Sequence, residues 1–185
     1  MKELRTYVLN FGGLTNKEHR FRHHVDGDFF KHFDQSPIGA CDVEVDVVLT
    51  KKPSFMKFDF LVDGTIETQC DRCLEPYDQA VFGDYPLVVK FGDEQDDVSE
   101  DDVIHIPRGQ MRLDLAPFLY DYIVLSVPMR TVHPDDANGQ PGCDNDVIER
   151  LQDGSVEDHI DPRWEALKDL NPKTDDHGTS ETEDQ

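Results

Sequence analysis

The chain has 185 residues, with 40 acidic and 18 basic side chains and a formal net charge of −22. Its length suits one domain followed by a tail, and 37% hydrophobic residues are enough to form a core. The sequence contains no window near the roughly 18 consecutive apolar residues of a membrane-spanning helix and no apolar signal core, so we expect a cytoplasmic protein without membrane contact.

Alternating apolar and polar residues predict the strands of the first half. Arg5–Phe11 is typical of a first strand, and the phenylalanines within Asp28–Phe33 indicate a short helix. Residues 43–49 and 56–62 alternate, which predicts a hairpin of half-buried antiparallel strands. Gly64 then marks a tight turn or a bend.

Two further strands flank the pair Cys70 and Cys73. Thr65–Gln69 leads into the pair, and Tyr77–Phe91 returns from it. Pro86 makes the returning strand an edge strand or a broken one, because proline has no N–H to donate. The Cys-x-x-Cys motif is therefore predicted to lie at a strand-to-strand corner.

The second half predicts two helices. Asp114 caps a helix whose apolar stripe covers the sheet, and Asp161-Pro162 begins a last helix. The fold class is α+β, an antiparallel β-sheet with helices packed on one face, in a single domain over residues 1–170. The acidic run at about 93–102 is predicted to be a mobile loop, and residues 171–185 a disordered acidic tail.

The acidity limits what the surface could bind. Residues 91–185 hold 25 acidic and 7 basic side chains, so contact with phosphate must be local. Candidates for nucleic-acid or partner binding are Lys17, Arg20, Arg22 and Arg72. Acidic neighbours dilute this group, and a mixed solvated surface is the simpler interpretation. A high-salt habitat would also explain an acidic chain, so the net charge says little about partners.

Cys70 and Cys73 have the two-residue gap that lets two thiolates reach one tetrahedral metal ion. His133 and Cys143, in a later loop, could complete a Cys₃His set, for which the expected cofactor is one structural zinc ion. A metal-free turn in which the two thiols pack is the alternative. A thioredoxin-type redox pair is disfavoured because no helix follows the motif. Cys41 is expected to be a small core residue.

The loop 131–146 is rich in aspartate, but it does not match a calcium-binding loop because proline and valine stand where glycine and glutamate belong. The chain contains no nucleophile elbow, zinc-protease helix, phosphate loop or dinucleotide fingerprint. We expect no enzyme. Asp135 and Asp136 with nearby histidines leave a metal-dependent hydrolase or nuclease as an alternative.

Three motifs together resemble the YceD family, the large ribosomal RNA subunit accumulation proteins of bacteria and chloroplasts. The sequence has the motifs of that family in order, namely Cys70-Asp71-Arg72-Cys73-Leu74-Glu75-Pro76, then a helix from Leu113-Asp114-Leu115 to Pro128, then Asp161-Pro162-Arg163-Trp164. Many relatives carry a second Cys-x-x-Cys after that helix. Here only His133 and Cys143 stand in that region, so this chain is a divergent member with a reduced second cysteine cluster.

The resemblance implies a ribosome-biogenesis factor without an established catalytic activity, which supports the synthesis, processing or accumulation of large-subunit ribosomal RNA. Its expected partner is a large-subunit rRNA precursor or a ribosomal or assembly protein, with no small-molecule substrate. An acidic adaptor that binds basic ribosomal proteins without touching RNA is a further alternative.

Overall fold

The computed structural model describes residues 3–92, 103–135, 137 and 139–153. In chain order, its elements are a 3₁₀ helix (Glu3–Tyr7), β1 (Val8–Asn10), β2 (Glu18–Asp26), α1 (Gly27–Phe30), β3 (Cys41–Lys51), β4 (Phe55–Gln69), β5 (Pro76–Phe91), β6 (Val103–Ile106), β7 (Arg112–Asp114), α2 (Ala116–Leu125) and α3 (Asn145–Asp153).

Five strands form one sheet in the order β2-β3-β4-β5-β6, and β1 pairs with β7 in a second, two-stranded sheet. All pairs are antiparallel except β5-β6. The fold is therefore α+β with a mostly antiparallel sheet, as predicted. Chain contacts divide the protein into two units, Met1–Asp144 and Asn145–Gln185. The sheets, α1 and α2 belong to the first unit, and α3 belongs to the second.

The core lies on one face of the large sheet, which we call the inner face. Alternate residues of the central strands are buried there because successive side chains of a strand point to opposite faces. Helix α2 covers this face and brings Tyr122 to 5.0 Å from Phe60 of β4, between ring centroids. Phe30 of α1 packs on Tyr120 at 5.7 Å. Aromatic stacking thus joins both helices to the sheet.

The predicted hairpin is present, with Leu49 of β3 opposite Phe58 of β4. The prediction of a tight turn or bend at Gly64 is wrong, because Gly64 lies inside the unbroken β4 opposite Val43. Pro86 does not break β5. It pairs with Asp59 of β4 and lies outside the stretch that pairs with β6, so β5 is an edge strand at this position among the described residues, which confirms one of the two predicted alternatives. The strand at Arg5–Phe11 is only partly correct, since its first half is the 3₁₀ helix.

Four further elements of the structure were not predicted from the sequence pattern. They are β2, the parallel strand β6, β7 and helix α3. Helix α2 begins at Ala116, and the predicted cap Asp114 accepts the Ala116 N–H at 3.0 Å. The acidic run 93–102, the helix start at Asp161 and the tail 171–185 lie outside the described residues. The predicted single domain over 1–170 extends past them and stays a prediction.

Gly64 allows β3 and β4 to approach closely. A Cβ atom at this position would contact the backbone oxygen of Asp42 and come within 2.6 Å of the Val43 Cα atom. We expect Gly64→Ala to destabilise the protein by roughly 1–3 kcal/mol, measured by urea unfolding, because the clash is with backbone. Gly39→Ala is the matched control, since its Cβ would meet no atom within 4 Å. Equal stability of the two variants would contradict this account.

His23 of β2 points to the inner face, where its Nε2 atom is buried and has no hydrogen-bond partner among the described residues. Its ring lies 5.6 Å from that of Tyr7, and burial lowers the pKa of His23. Between the lowered pKa and the ordinary value of about 6.5, the unfolded chain binds a proton that the folded chain does not. The free energy of unfolding that depends on His23 is therefore at its full value above about pH 6.5 and decreases as the pH falls below it.

The measurement is the thermal midpoint between about pH 7.5 and pH 5.5 for the wild type and His23→Gln. We expect the midpoint of the wild type to decline more steeply toward acid than that of the variant. His105→Gln, at an exposed position on β6, should keep the wild-type slope. A slope that His23→Gln leaves unchanged would show that His23 does not titrate differently on folding.

Candidate metal centre

The turn between β4 and β5 presents two thiols at the end of the sheet. β4 ends at Gln69, and the chain reverses through a turn in which Cys70 N–H donates to the Glu75 carbonyl at 2.9 Å. Leu74 N–H donates to the Cys70 carbonyl at 2.9 Å, and Leu74 has φ 63° in the left-handed region. Cys70 and Cys73 therefore lie at a strand-to-strand corner, as predicted.

A second segment, which follows α2, is fastened to this corner by Thr131. The Asp71 N–H donates to the Thr131 carbonyl at 2.7 Å, and the Thr131 N–H donates to Asp71 Oδ2 at 2.7 Å. The Thr131 hydroxyl donates to the Gln69 carbonyl at 3.1 Å. Two residues further on, the ring of His133 packs on Tyr77 of β5 at 4.6 Å. These contacts hold the His133 imidazole beside the thiols.

The two segments bring four potential metal ligands together. One donor atom from each of Cys70, Cys73, His133 and Cys143 lies within 4.8 Å of the others. The Sγ atoms of Cys70 and Cys143 are 3.7 Å apart, and His133 Nδ1 is 3.3 Å from Cys73 Sγ and 3.7 Å from Cys143 Sγ. The sequence predicted these same four residues as a Cys₃His set, and in the structure they lie close enough together to hold a metal ion.

The sulfur–sulfur distance of 3.7 Å and the two sulfur–nitrogen distances are those of tetrahedral coordination. An ion with bonds of about 2.3 Å to sulfur and 2.0 Å to nitrogen separates two of its sulfurs by roughly 3.8 Å and a sulfur from a nitrogen by roughly 3.5 Å. The three separations given above, 3.7, 3.3 and 3.7 Å, lie close to these values. Three thiolates and one imidazole form a soft donor set of the kind that zinc occupies.

The electrostatics of the cluster favour a cation. Burial opposes ionisation of the Cys70 thiol, but hydrogen bonds from the backbone of Cys73 and Arg72 and from His133 outweigh it and lower the pKa of Cys70 to about 6. The pKa of the Cys143 thiol is raised by burial and by the adjacent Cys70 and Cys73. Without a cation, the cluster thus accommodates one negative charge more readily than two or three.

Burial and ligand number define the chemistry that such a centre could perform. Cys70 and Cys143 are buried, and Cys73 and His133 are half-buried. Four protein ligands fill a tetrahedral ion and leave no position for a reactive water, which is the arrangement of structural rather than catalytic zinc sites. The centre would join the end of β4 to a segment 73 residues later.

The residues predicted to bind nucleic acid or a partner are not gathered in one place. Arg20 and Arg22 lie on β2, on the face opposite the core, and Lys17 precedes that strand. Arg72 lies at the metal-ligand cluster, where its Nη1 donates to Cys143 Sγ at 3.8 Å. Because Arg20 shares a row of the sheet with Asp59, about ten residues before the end of β4, roughly 30 Å of strand separates it from Arg72.

Sequence reasoning missed the roles of three residues at this site. Asp71 and Thr131 connect the corner to the second segment, and Arg72 contacts the ligands themselves. The position of Arg72 inside the Cys-x-x-Cys motif was a usable signal. Thr131 had none, since its role depends on a contact between residues that are 60 apart.

The described residues supply little for a hydrolytic site. Apart from the four cysteine and histidine residues, no group of three His, Cys, Asp or Glu side chains converges in the described part of the chain. An open recess beside α2 has Asp121 as its acidic lining residue, among mainly apolar neighbours such as Leu87 and Leu125. Asp136 falls outside the described residues. None of the described helices is long and apolar enough to cross a membrane.

The protein is thus an α+β domain whose sheet corner carries a Cys₃His cluster able to hold a metal ion. Residues 58–171 match the family model described as the large ribosomal RNA subunit accumulation protein YceD. The match covers more than half of the chain, and the protein belongs to this family. The matched region begins within β4, so β2 and β3 lie before it in the chain. No curated protein and no solved structure matches the chain.

The cluster predicts a specific effect of cysteine substitution. We expect about one zinc ion per chain in protein purified without chelator, and loss of most of it in Cys70→Ser and Cys143→Ser. Both variants should lose on the order of several kcal/mol of unfolding free energy, because a structural metal contributes to folding directly.

Cys41→Ser is the matched control. Cys41 is half-buried on β3, outside the cluster, and burial raises the pKa of its thiol to about 11. The control should retain its metal, measured by elemental mass spectrometry. Wild-type protein that contains no metal, or equal metal loss in all three variants, would contradict the assignment.

Proposed function

We propose that this protein is a non-catalytic ribosome-biogenesis factor that supports the accumulation of large-subunit ribosomal RNA. The observation that carries the proposal is membership of the YceD family, established over residues 58–171. We further propose that it acts in the cytoplasm by binding a large-subunit rRNA precursor or a ribosomal or assembly protein, and that it has no small-molecule substrate.

The chemistry of the ligand cluster supports a scaffold rather than an enzyme. A structural zinc ion, held by Cys70, Cys73, His133 and Cys143, would be closed to water and substrate. It would stiffen the end of the sheet and fix the course of the chain after α2. In this proposal, residues 1–170 act as a single docking domain.

The test deletes the gene from its own cell and then adds back a wild-type or variant copy. Cells that lack the protein should contain less large-subunit rRNA relative to small-subunit rRNA, measured by quantitative RNA analysis. Wild type and Cys41→Ser should restore the ratio. Cys70→Ser should restore it only partly, since the scaffold loses its brace.

An unchanged rRNA ratio in cells without the protein would overturn the proposed role. A nuclease would be indicated by divalent-metal-dependent cleavage of precursor rRNA by the purified protein, lost on changing Asp135 and Asp136 to Asn. We expect no cleavage.

A further inference from the structure

Within the described residues of the first unit, one face of the five-stranded sheet is uncovered. Helices α1 and α2 and the β1-β7 pair pack on the inner face. The other face, which we call the outer face, consists of the even-numbered residues of β2, β3 and β5 and the odd-numbered residues of β4. Most of these side chains are exposed, and the contacts found among them join residues of the outer face to one another.

Two apolar side chains occupy the middle of the outer face. Phe82 of β5 is 80% exposed and Leu61 of β4 is 44% exposed. Phe82 stands opposite Asp63, and Leu61 stands opposite Asp84. Leu61 and Phe82 are therefore diagonal neighbours, roughly 7–8 Å apart, which is within reach of an aromatic side chain. Aromatic side chains such as that of Phe82 are enriched at the centre of protein interfaces.

Carboxylates surround this apolar pair. Glu44 and Asp63 share the sheet row of Phe82, and Asp46 and Asp84 share the row of Leu61. Over the whole outer face, ten carboxylates stand against four Lys or Arg side chains; the acids are Glu18, Asp26, Asp42, Glu44, Asp46, Asp59, Asp63, Glu67, Asp78 and Asp84, and the bases are Arg20, Arg22, Lys57 and Lys90. The face is therefore acidic around an apolar centre.

Three of the four cations of the outer face pair with neighbouring carboxylates. Arg22 makes two hydrogen bonds to Asp46, at 2.7 and 2.8 Å. Arg20 pairs with Glu18 at 3.0 Å, and Lys57 pairs with Asp59 at 2.7 Å. These pairs reduce the capacity of the face to bind phosphate. The remaining carboxylates repel RNA and attract a basic chain.

We propose that the outer face is a docking surface for a lysine- and arginine-rich protein segment that places an aliphatic or aromatic side chain on Phe82 and Leu61. This inference rests on the proposed function, because proteins that bind rRNA neutralise phosphate and are therefore basic. The apolar centre supplies the affinity, and the surrounding carboxylates select the charge of the partner and accelerate its approach. A second copy of this chain is disfavoured, since two such faces would repel each other.

The test measures direct binding of a synthetic peptide of alternating lysine and leucine by fluorescence anisotropy. Binding by the wild-type protein should weaken as the salt concentration rises. The double variant Phe82→Ser/Leu61→Ser should bind about tenfold more weakly or worse, as expected for the centre of an interface. Asp63→Asn/Asp84→Asn should weaken binding by roughly threefold to tenfold.

Matched control variants remove exposed apolar side chains or carboxylates at positions away from the outer face. Met111→Ser/Met129→Ser removes two exposed apolar side chains, and Asp34→Asn/Asp135→Asn removes two exposed charges; none of the four residues lies on the outer face. Both controls should bind like the wild type. Equal weakening by the controls, which would indicate non-specific attraction, overturns the proposal.

Two other results would also overturn it. Tighter binding of single-stranded RNA than of the peptide, lost in Phe82→Ser/Leu61→Ser, would make the outer face an RNA surface. Self-association in sedimentation, lost in the same variant, would make the outer face an interface between copies of this chain.

The ratio of large-subunit to small-subunit rRNA separates this proposal from the proposed function. If the Phe82→Ser/Leu61→Ser variant restores the ratio that deletion lowers, the docking surface fails and the function stands.

Discussion

The pairing of β4 with both of its neighbours is the interaction on which the structure depends. β4 is 15 residues long, and it pairs with β3 over the eleven residues Met56–Ile66 and with β5 over its whole length. One face of β4 carries core side chains such as Phe58 and Phe60, and the other face carries Leu61. The end of β4 delivers Cys70 to the metal-ligand cluster. The core, the outer face and the candidate metal centre therefore share one strand and its register.

Much of this arrangement could be predicted because its signals are local. Alternation identified the β3-β4 hairpin, and the two-residue spacing of Cys70 and Cys73 identified half of the ligand cluster. The other half followed from donor chemistry, since few residues in the later loop could bind a soft metal. The strand β2 was missed because histidines occupy inner positions where an apolar residue is expected, and His23 is one of them.

Features that depend on distant contacts could not be predicted from the sequence alone. Gly64 suggested a turn, but its actual role is to let β3 pass close to β4, which depends on a residue 21 positions earlier. The parallel pairing of β6 with the end of β5 has no signature in the four residues of β6. Likewise, Arg20, Arg22 and Arg72 were candidates for partner binding, whereas the sheet separates Arg72 from the other two and pairs those two with acids.

The distance along the chain between the ligands has a consequence during translation. Cys70 and Cys143 are separated by 73 residues. At about 5–20 residues per second, a ribosome needs roughly 4–15 s to synthesise that interval. Any part of the sheet that forms during this interval therefore carries Cys70 and Cys73 without Cys143, which is synthesised only after α2. The four-residue cluster is thus complete only late in the synthesis of the chain.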